Sequence, residues 1–395
     1  MHNPARLDPP DASTQEGVRW IATCPDETKG VLEEELRALG ATQLVPIYRG
    51  VAFVANLETG YRAHLWLRTA SRIQRLVADL PCDSASALTA AVAGVAWPLW
   101  LRSQRPFTVT PILTDADARA LGEDAVVQAV SSSVARAFGD AGAAAPRFDP
   151  EADDPVHLMA HVRAGVCTLG LDTAGRALHK RGWRMTGHPA VLKETLAAAV
   201  LMLAGYNGSE TLLDPMCGSG TVIIEGAYIA LNKAPLIHRG KDDFGFEHQA
   251  GFDRALWRRV SDQARARKKA APDAGLFASD IRDAYVELAR QTALRARVEK
   301  HITFTTTSLQ DAVPPAPTGL LLANLPYGER IGRGEVPTLY KDVGRALRGP
   351  LGAWRSALLV PAEVPRNIFG LAPSSEFSLM NGALPVRLML FPPQR

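Results

Sequence analysis

Two short stretches carry residues whose types and spacing could do chemistry: LLDPMCGSGT, ending at Thr221, and LLLANLPYGER, which contains Asn324 to Tyr327. In the first, Asp214 and Pro215 stand at the tip of an apolar run. Cys217, Gly218 and Gly220 then turn the chain toward a helix-forming run that starts at Thr221. Glycines at such a turn let backbone approach a ligand with no Cβ in the way. A helix starting there offers unpaired N–H groups and a positive dipole end to a carboxylate or phosphate. A GxxxxGK[ST] loop is absent. A dinucleotide fingerprint also fails, because Thr221, Val222 and Ile223 follow Gly220 where a third glycine is required. A tight turn that binds nothing is the plain alternative for Gly-x-Gly alone.

The second stretch places Asn324, Leu325, Pro326 and Tyr327 after the apolar run Leu320 to Ala323. An aromatic amine is a poor nucleophile because its lone pair is delocalised into the ring. The Asn324 side-chain oxygen and the Leu325 carbonyl could accept both amine hydrogens, favour a pyramidal nitrogen and aim its lone pair at an electrophile. Tyr327 could stack on a base, worth about 1–3 kcal/mol. Such catalysis is mainly positioning and calls for no metal and no covalent nucleophile. Read alone, the tetrapeptide is a strand leaving a sheet through a proline turn. Paired with the glycine turn in one predicted sheet, it becomes a second half-site.

The elements that must position these residues follow from periodicity. From Gly187 onward, strands TLLD, GLFASD, HITFTTT, LLLAN, SALLVP and PVRLMLF alternate with helical PAVLKETLAAAVLMLAG, TVIIEGAYIALN and DAYVELARQTALRARV, and GRALRG closes a short helix. Pro189 sits near the start of the first helix. Alternation of this kind predicts a parallel, doubly wound sheet with its ligand at the strand carboxyl ends. Upstream, residues 17–70 read as a small α/β unit. Its helix carries Val31, Leu32, Leu36 and Leu39 on one face and ends at Gly40, and a strand pair turns at Arg49-Gly50. Residues 71–170 continue in a mixed pattern, and 171–188 read as a linker.

DPMCGSGT resembles the S-adenosylmethionine motif of class I methyltransferases that modify exocyclic amines, and NLPY resembles their [DNS]PP[YFW] signature, with Leu325 in place of the first proline. Together with WIATCPDETKGVLEEELRALGA, LWLRTASRI, LHKRGWRMTGHPAVLKETLAAA and NGALPVRLMLF, the chain resembles the THUMP-domain guanine-N2 RNA methyltransferases over residues 17–391. Within that family it is most similar to the branch acting on bacterial large-subunit ribosomal RNA, in a form with a single catalytic domain. The resemblance implies an α/β protein: a disordered leader (1–16), a ferredoxin-like domain (17–70), a THUMP RNA-binding domain (71–170), a linker (171–188) and a Rossmann-like methyltransferase domain (189–395).

The resemblance also implies roles. Gly218 and Gly220 would line the methionyl part of S-adenosylmethionine and Asp214 would hold its amino end, with Pro215, Cys217, Thr221 and Thr195 around it. Asp280 would accept the ribose hydroxyls, although a strand-end aspartate is often a helix N-cap. Ser308 and Asp311 are candidates for the adenine. The implied partner is ribosomal RNA, or transfer RNA on a sister branch. Adenine N6 as the target and a catalytically silent assembly factor stay open.

Charge is unevenly spread: residues 1–165 carry 15 basic and 20 acidic side chains, residues 166–395 carry 29 and 21. A polyanion would favour the second half, with RALWRRVSDQARARKK, seven basic residues and one acid, as a cationic helix. Arg72, Arg75, Arg102 and Arg105 are the candidate patch in the acidic half. His179, Lys180, Arg181 and Arg184 read as a linker touching RNA. His157 and His161 lack a third metal ligand, and Cys24, Cys82, Cys167 and Cys217 form no CxxC pair, which favours a reducing cytoplasm. No apolar run reaches the roughly 20 residues that cross a bilayer.

Overall fold

A computed structural model describes residues 17–185, 192–311, 313–326 and 336–394, which form two seven-stranded sheets. The expected leader 1–16, Pro189 and Tyr327 lie outside the described residues. The first sheet draws on β1 (Val18–Thr23), α1 (Lys29–Ala38), β2 (Thr42–Ile47), β3 (Gly50–Ala55), α2 (Leu57–Trp66), β4 (Arg72–Pro81), α3 (Ala85–Val92), β5 (Phe107–Leu113), α4 (Ala116–Leu121), α5 (Glu123–Asp140), β6 (Val156–Arg163) and β7 (Val166–Asp172). Its order is β2-β3-β1-β4-β7-β6-β5. Residues 17–70 and 71–170 therefore share one sheet, joined where β1 pairs antiparallel with β4.

Local signals explain most of these elements. Val31, Leu32 and Leu36 are buried along one face of α1, and Gly40 beyond its end is left-handed at φ +89°. Asn56, Ser84 and Asp115 each accept a backbone N–H in the first turn of α2, α3 and α4, stabilising starts that would otherwise leave donors unpaired. The β2–β3 hairpin closes across Arg49 as the sequence predicts, with Ile47 opposite Gly50.

The second sheet draws on α6 (Glu194–Leu203), β8 (Leu212–Asp214), α7 (Thr221–Ala230), α8 (Arg254–Ala266), β9 (Leu276–Asp280), α9 (Asp283–Arg295), β10 (Thr303–Thr306), β11 (Leu320–Asn324), α10 (Val336–Arg348), β12 (Arg355–Pro361), β13 (Ser375–Asn381) and β14 (Leu384–Phe391). Its order is β10-β9-β8-β11-β12-β14-β13. β10, β9, β8, β11 and β12 are parallel, and β14 runs antiparallel between β12 and β13. Residues 320–323 of β11 are at most 1% exposed, as befits a parallel strand covered on both faces.

The insertion between α7 and β9 packs outward onto the first half of the chain. Ala234, Leu236, Phe244, Phe246, Val260 and Ala264 share a core with Trp20, Phe53 and Tyr61. Trp257 of α8 lies edge-on to Phe246 at 4.9 Å and to Tyr61 at 5.8 Å. It is a packing residue, which leaves only the charged face of α8 to solvent. Among the described residues no helix is long and apolar enough to cross a membrane.

Candidate active site

Asp214, Asp280 and Asn324 end the neighbouring parallel strands β8, β9 and β11, so all three stand on one edge of the second sheet. The register sets Leu213 beside Leu321 and Asp214 beside Ala278, so Asp280 and Asn324 extend past Asp214 on either side. The chain travels from β8 out to β9 and β10, then returns to β11 on the other side of β8. In open α/β sheets ligands bind at that reversal, at the strand carboxyl ends.

The glycine turn is pinned to β9. The Cys217 N–H donates to the Ser279 carbonyl (2.9 Å), and the Gly218 N–H donates to Asp280 Oδ2 (3.1 Å). Gly218 and Gly220 take φ +50° and +80°, a region costly for any residue with a Cβ. A Cβ on Gly220 would stand 3.1 Å from Ala289 Cβ on α9. A ligand can therefore meet Gly220 only through its backbone, and the missing side chain lets α9 close in. Thr221 opens α7 and is buried, its Oγ1 3.3 Å from Ser219 Oγ.

Polar satisfaction is uneven at this edge. Asp214 is 1% exposed and its Oδ1 has no hydrogen-bond partner. Burial first, and the neighbouring Asp280 second, push its carboxyl up to about 8 against the backbone N–H groups of Met216 and Ile223. An unpaired buried acceptor is costly unless something donates to it. Asp280 accepts from Gly218 and from the Arg282 N–H (3.1 Å), and each carboxylate oxygen retains a second lone pair. Pro215 is buried beside Asp214. Cys217 belongs to the apolar core, and burial drives its thiol well above the usual range, which makes it a packed group rather than a nucleophile.

The second half-site is held from both sides. The Leu325 N–H donates to the Leu359 carbonyl of β12 (3.0 Å), and the Tyr340 hydroxyl on α10 donates to the Pro326 carbonyl (3.1 Å). Among the described residues, Asn324 Oδ1, like Asp214 Oδ1, is buried without a partner. After β10, Ser308 Oγ donates to Asp311 Oδ2 (2.6 Å) and the Asp311 N–H donates back to Ser308 Oγ (3.2 Å). The two adenine candidates thus form one turn.

Thr195 is buried in the first turn of α6 and, with Lys193, lines a cleft of about 550 Å³ between the two sheets. Thr23, Gln74, His161 and Thr168 face it from the first sheet, and Met380 from the end of β13, on the carboxyl edge of the second. Burial pushes the His161 imidazole down. Sequence reasoning did not find this cleft, because well-separated segments contribute to its wall. Nor did it find the Tyr340 contact.

Several arginines read as RNA contacts are engaged by other groups of the protein. Arg181 is 2% exposed, pairs with Glu225 Oε1 at 3.2 Å and donates to the Leu178 and Arg68 carbonyls. Arg184 pairs with Glu194. In the first half Arg72 pairs with Asp172, Arg105 pairs with Asp154, and the Arg75 guanidinium stacks 4.9 Å from the Trp100 ring. Among the described residues no His/Cys/Asp/Glu group could hold a metal ion.

A doubly wound sheet with an antiparallel strand beside its last, a glycine turn after β8 and Asn-Leu-Pro at the end of β11 defines a Rossmann-like methyltransferase domain. Residues 181–389 match the RMKL-like methyltransferase domain and residues 19–74 the RlmL ferredoxin-like domain. The chain belongs to the RMKL-like methyltransferase family. It is 34% identical, over 95% of its length, to 52% of the ribosomal RNA large subunit methyltransferase K/L of Shewanella sp. (strain ANA-3), so it spans about half the length of the curated relatives it matches. The crystal structure of SMU.472 complexed with SAH superposes with TM-score 0.84 at 28% identity, covering 97% of this chain and 100% of that one. A predicted N6-adenine-specific DNA methylase from Listeria monocytogenes str. 4b F2365 gives TM-score 0.80 at 25% identity, over 95% and 96%.

Proposed function

We propose that this chain transfers a methyl group from S-adenosylmethionine to the exocyclic N2 amine of a guanine in 23S ribosomal RNA. The observation that carries the reading is the pair of buried, unpartnered acceptors, Asp214 Oδ1 and Asn324 Oδ1, on adjacent strands where the sheet reverses. One answers to an ammonium group and the other to an aromatic amine. SAH in the SMU.472 complex is the form S-adenosylmethionine takes after giving up its methyl group, and the donors and acceptors here suit that cofactor. Asp214 would take its amino group, the free lone pairs of Asp280 its ribose hydroxyls, and the turn from Cys217 to Thr221 its methionyl part. Bound there, S-adenosylmethionine supplies an electrophilic methyl group.

The chain's own residues do the rest. Asn324 Oδ1 and the Leu325 carbonyl accept the amine hydrogens and set the direction of the nitrogen lone pair. β12 and Tyr340 hold that backbone still, through Leu325 and Pro326. Tyr327 supplies a face for the base. A guanine amine inside a duplex is out of reach, so the base enters flipped or unpaired, along the cleft that runs from the first sheet to the carboxyl edge. Ribosomal RNA as the substrate draws support from the name of the Shewanella relative. Guanine over adenine rests on the likeness of the sequence to the guanine-N2 family.

The test is transfer of labelled methyl from S-adenosylmethionine to unmodified ribosomal RNA and, separately, to transfer RNA, followed by nucleoside analysis. N2-methylguanosine from ribosomal RNA alone is the expected result. The same nucleoside from transfer RNA, or N6-methyladenosine from either, replaces the substrate assignment. RNA binding with no cofactor uptake by calorimetry makes the chain an assembly factor.

A further inference from the structure

The chemistry occupies the carboxyl edge of the second sheet, but its amino edge gathers cations that the reaction does not use. α7, α8 and α9 all end there and are tied together. The Asn232 amide donates to the Arg267 carbonyl (3.2 Å), the Lys269 N–H donates to the Leu231 carbonyl (2.8 Å), and the Lys233 ammonium donates to the Ala296 carbonyl. These bonds bring Arg267 and Lys268, following α8, close to Arg297 and Lys300, following α9; all four are exposed. Among the described residues none of the four has an ion-pair partner. The nearby acids are taken: Asp262 by Arg265, Asp273 by Lys269 and Glu299 by Arg290.

Cations at helix carboxyl ends offset the helix dipole, a stabilisation of about 0.3–1 kcal/mol each. That role does not account for crowding on this scale. Burial and then Lys268 and Arg297 push the buried Lys233 ammonium down to about 7. Partial burial and then Lys233, Arg297, Lys268 and Arg265 push the His238 imidazole down to about 4. His301 is lowered by burial and by Lys300, Lys268 and Lys233. Like charge held this densely, with the nearby acids already paired to other cations, leaves the folded chain with repulsion that a polyanion would relieve. The patch is also long. It continues along the exposed Arg258 and Arg254 of α8, a 13-residue helix and so about 20 Å at 1.5 Å per residue. A single free phosphate would need an enclosing pocket; a strip of this length fits successive phosphates.

We infer that this amino-edge strip is a second RNA site, gripping the phosphodiester backbone of a segment separate from the one that carries the methylated base. The inference rests on the RNA methyltransferase reading above. The five residues of β9 alone put about 17 Å between the two edges at 3.3–3.4 Å per residue, so one enzyme would hold its RNA at two places around the same domain.

The experiment uses the full chain and an unmodified 23S ribosomal RNA transcript. Binding is measured across salt concentrations, with hydroxyl-radical footprinting, for the wild type and for the combined variant Arg267→Gln, Lys268→Gln, Arg297→Gln, Lys300→Gln. All four side chains are exposed, so the fold should persist; unchanged cofactor binding by calorimetry verifies it. The expected result is a salt slope shallower by about 3, from roughly 0.7–0.9 per phosphate contact. One protected RNA segment should disappear while protection around the methylated nucleotide remains. An unchanged slope and footprint in a wild type that does methylate overturns the second site alone. A wild type that binds the transcript without methylating it, yet loses a segment in the variant, overturns the methylation reading and keeps the site. A wild type that does not bind the transcript overturns both.

Discussion

The two sheets of this molecule treat their polar groups in opposite ways. In the first, several arginines on and around the strands are engaged: Arg72 with Asp172, Arg105 with Asp154, Arg19 with Asp79, and Arg75 laid over Trp100. In the second, among the described residues, the carboxyl edge carries two buried acceptor oxygens with nothing donating to them, and the amino edge carries four exposed cations in no ion pair, its acids Asp262 and Asp273 being held by Arg265 and Lys269. Buried polar groups are ordinarily satisfied, so two unmet acceptors on adjacent strands at the ligand-binding edge of a parallel sheet are suited to an incoming donor. Charge totals alone would have sent the RNA to the second half for a vaguer reason. Pairing marks which cations of that half are left without a protein partner, and it explains why the acidic half has few cations left to offer.

The largest way to break the contrast is at Asn324. If its orphan oxygen exists to receive the substrate amine, Asn324→Ala should cut turnover by at least about a hundredfold, the scale of a lost positioning contact, while cofactor affinity by calorimetry stays within a few fold. Full activity in that variant would make the unpaired oxygen an incidental feature of a strand end.

The joint between the halves supplies a different case, a charge that is buried and paired. Arg181 and Glu225 are both 0% exposed at their side chains. Burial pushes the Glu225 carboxyl up while Arg181 and Arg68 pull it down. Arg181→Leu leaves Glu225 buried without its partner and should cost about 3–5 kcal/mol, read as a lowered thermal midpoint. Arg181→Leu combined with Glu225→Leu should recover much of that loss. If the single variant melted like the wild type, the pair would contribute nothing to holding the joint.

Asp214 offers a milder test with a defined sign. Its carboxyl, pushed up to about 8, is protonated at neutral pH in the free chain, whereas an incoming ammonium needs the carboxylate. Cofactor binding should therefore release a proton below pH 8, and affinity should rise up to tenfold per pH unit between 6 and 7. Calorimetry at pH 6.5 in buffers of different ionisation enthalpy should count about one proton released. Binding without proton release would remove Asp214 as the acceptor of the amino group.

What was legible in the sequence follows the same division. Asp214, Gly218, Gly220, Asp280 and Asn324 could be placed because each ends an apolar strand or lies in the turn that leads into a helix, and the doubly wound order does the rest. β13 was missed because SEFSLMN alternates polar and apolar residues at a sheet edge and lacks the apolar run of its neighbours. α10 starts well before the GRALRG run that signals its end. Arg181 could not be read correctly, since a basic cluster before a domain looks the same whether it meets Glu225 or RNA. The 550 Å³ cleft was invisible because its wall is assembled from both sheets. Local pattern gives elements and their tips; partners across the fold need coordinates.

The smallest expected effect sharpens the comparison from its quiet side. Arg102 and Arg105 lie in the half whose cations are mostly engaged, and the Arg105–Asp154 pair is exposed on both sides, so its loss should cost under about 1 kcal/mol. If the first sheet guides RNA by shape and by the polar face it turns to the cleft, Arg102→Gln with Arg105→Gln should leave the thermal midpoint nearly unchanged. The salt slope of binding to the ribosomal transcript should change by less than about 1, since at most one of the two sites would be contacting a phosphate. A drop of about 2 would mean that Arg105 exchanges Asp154 for a phosphate when RNA binds. An ion pair in the free protein would then be a poor guide to which cations are available, and the amino-edge strip would share the backbone with the acidic half.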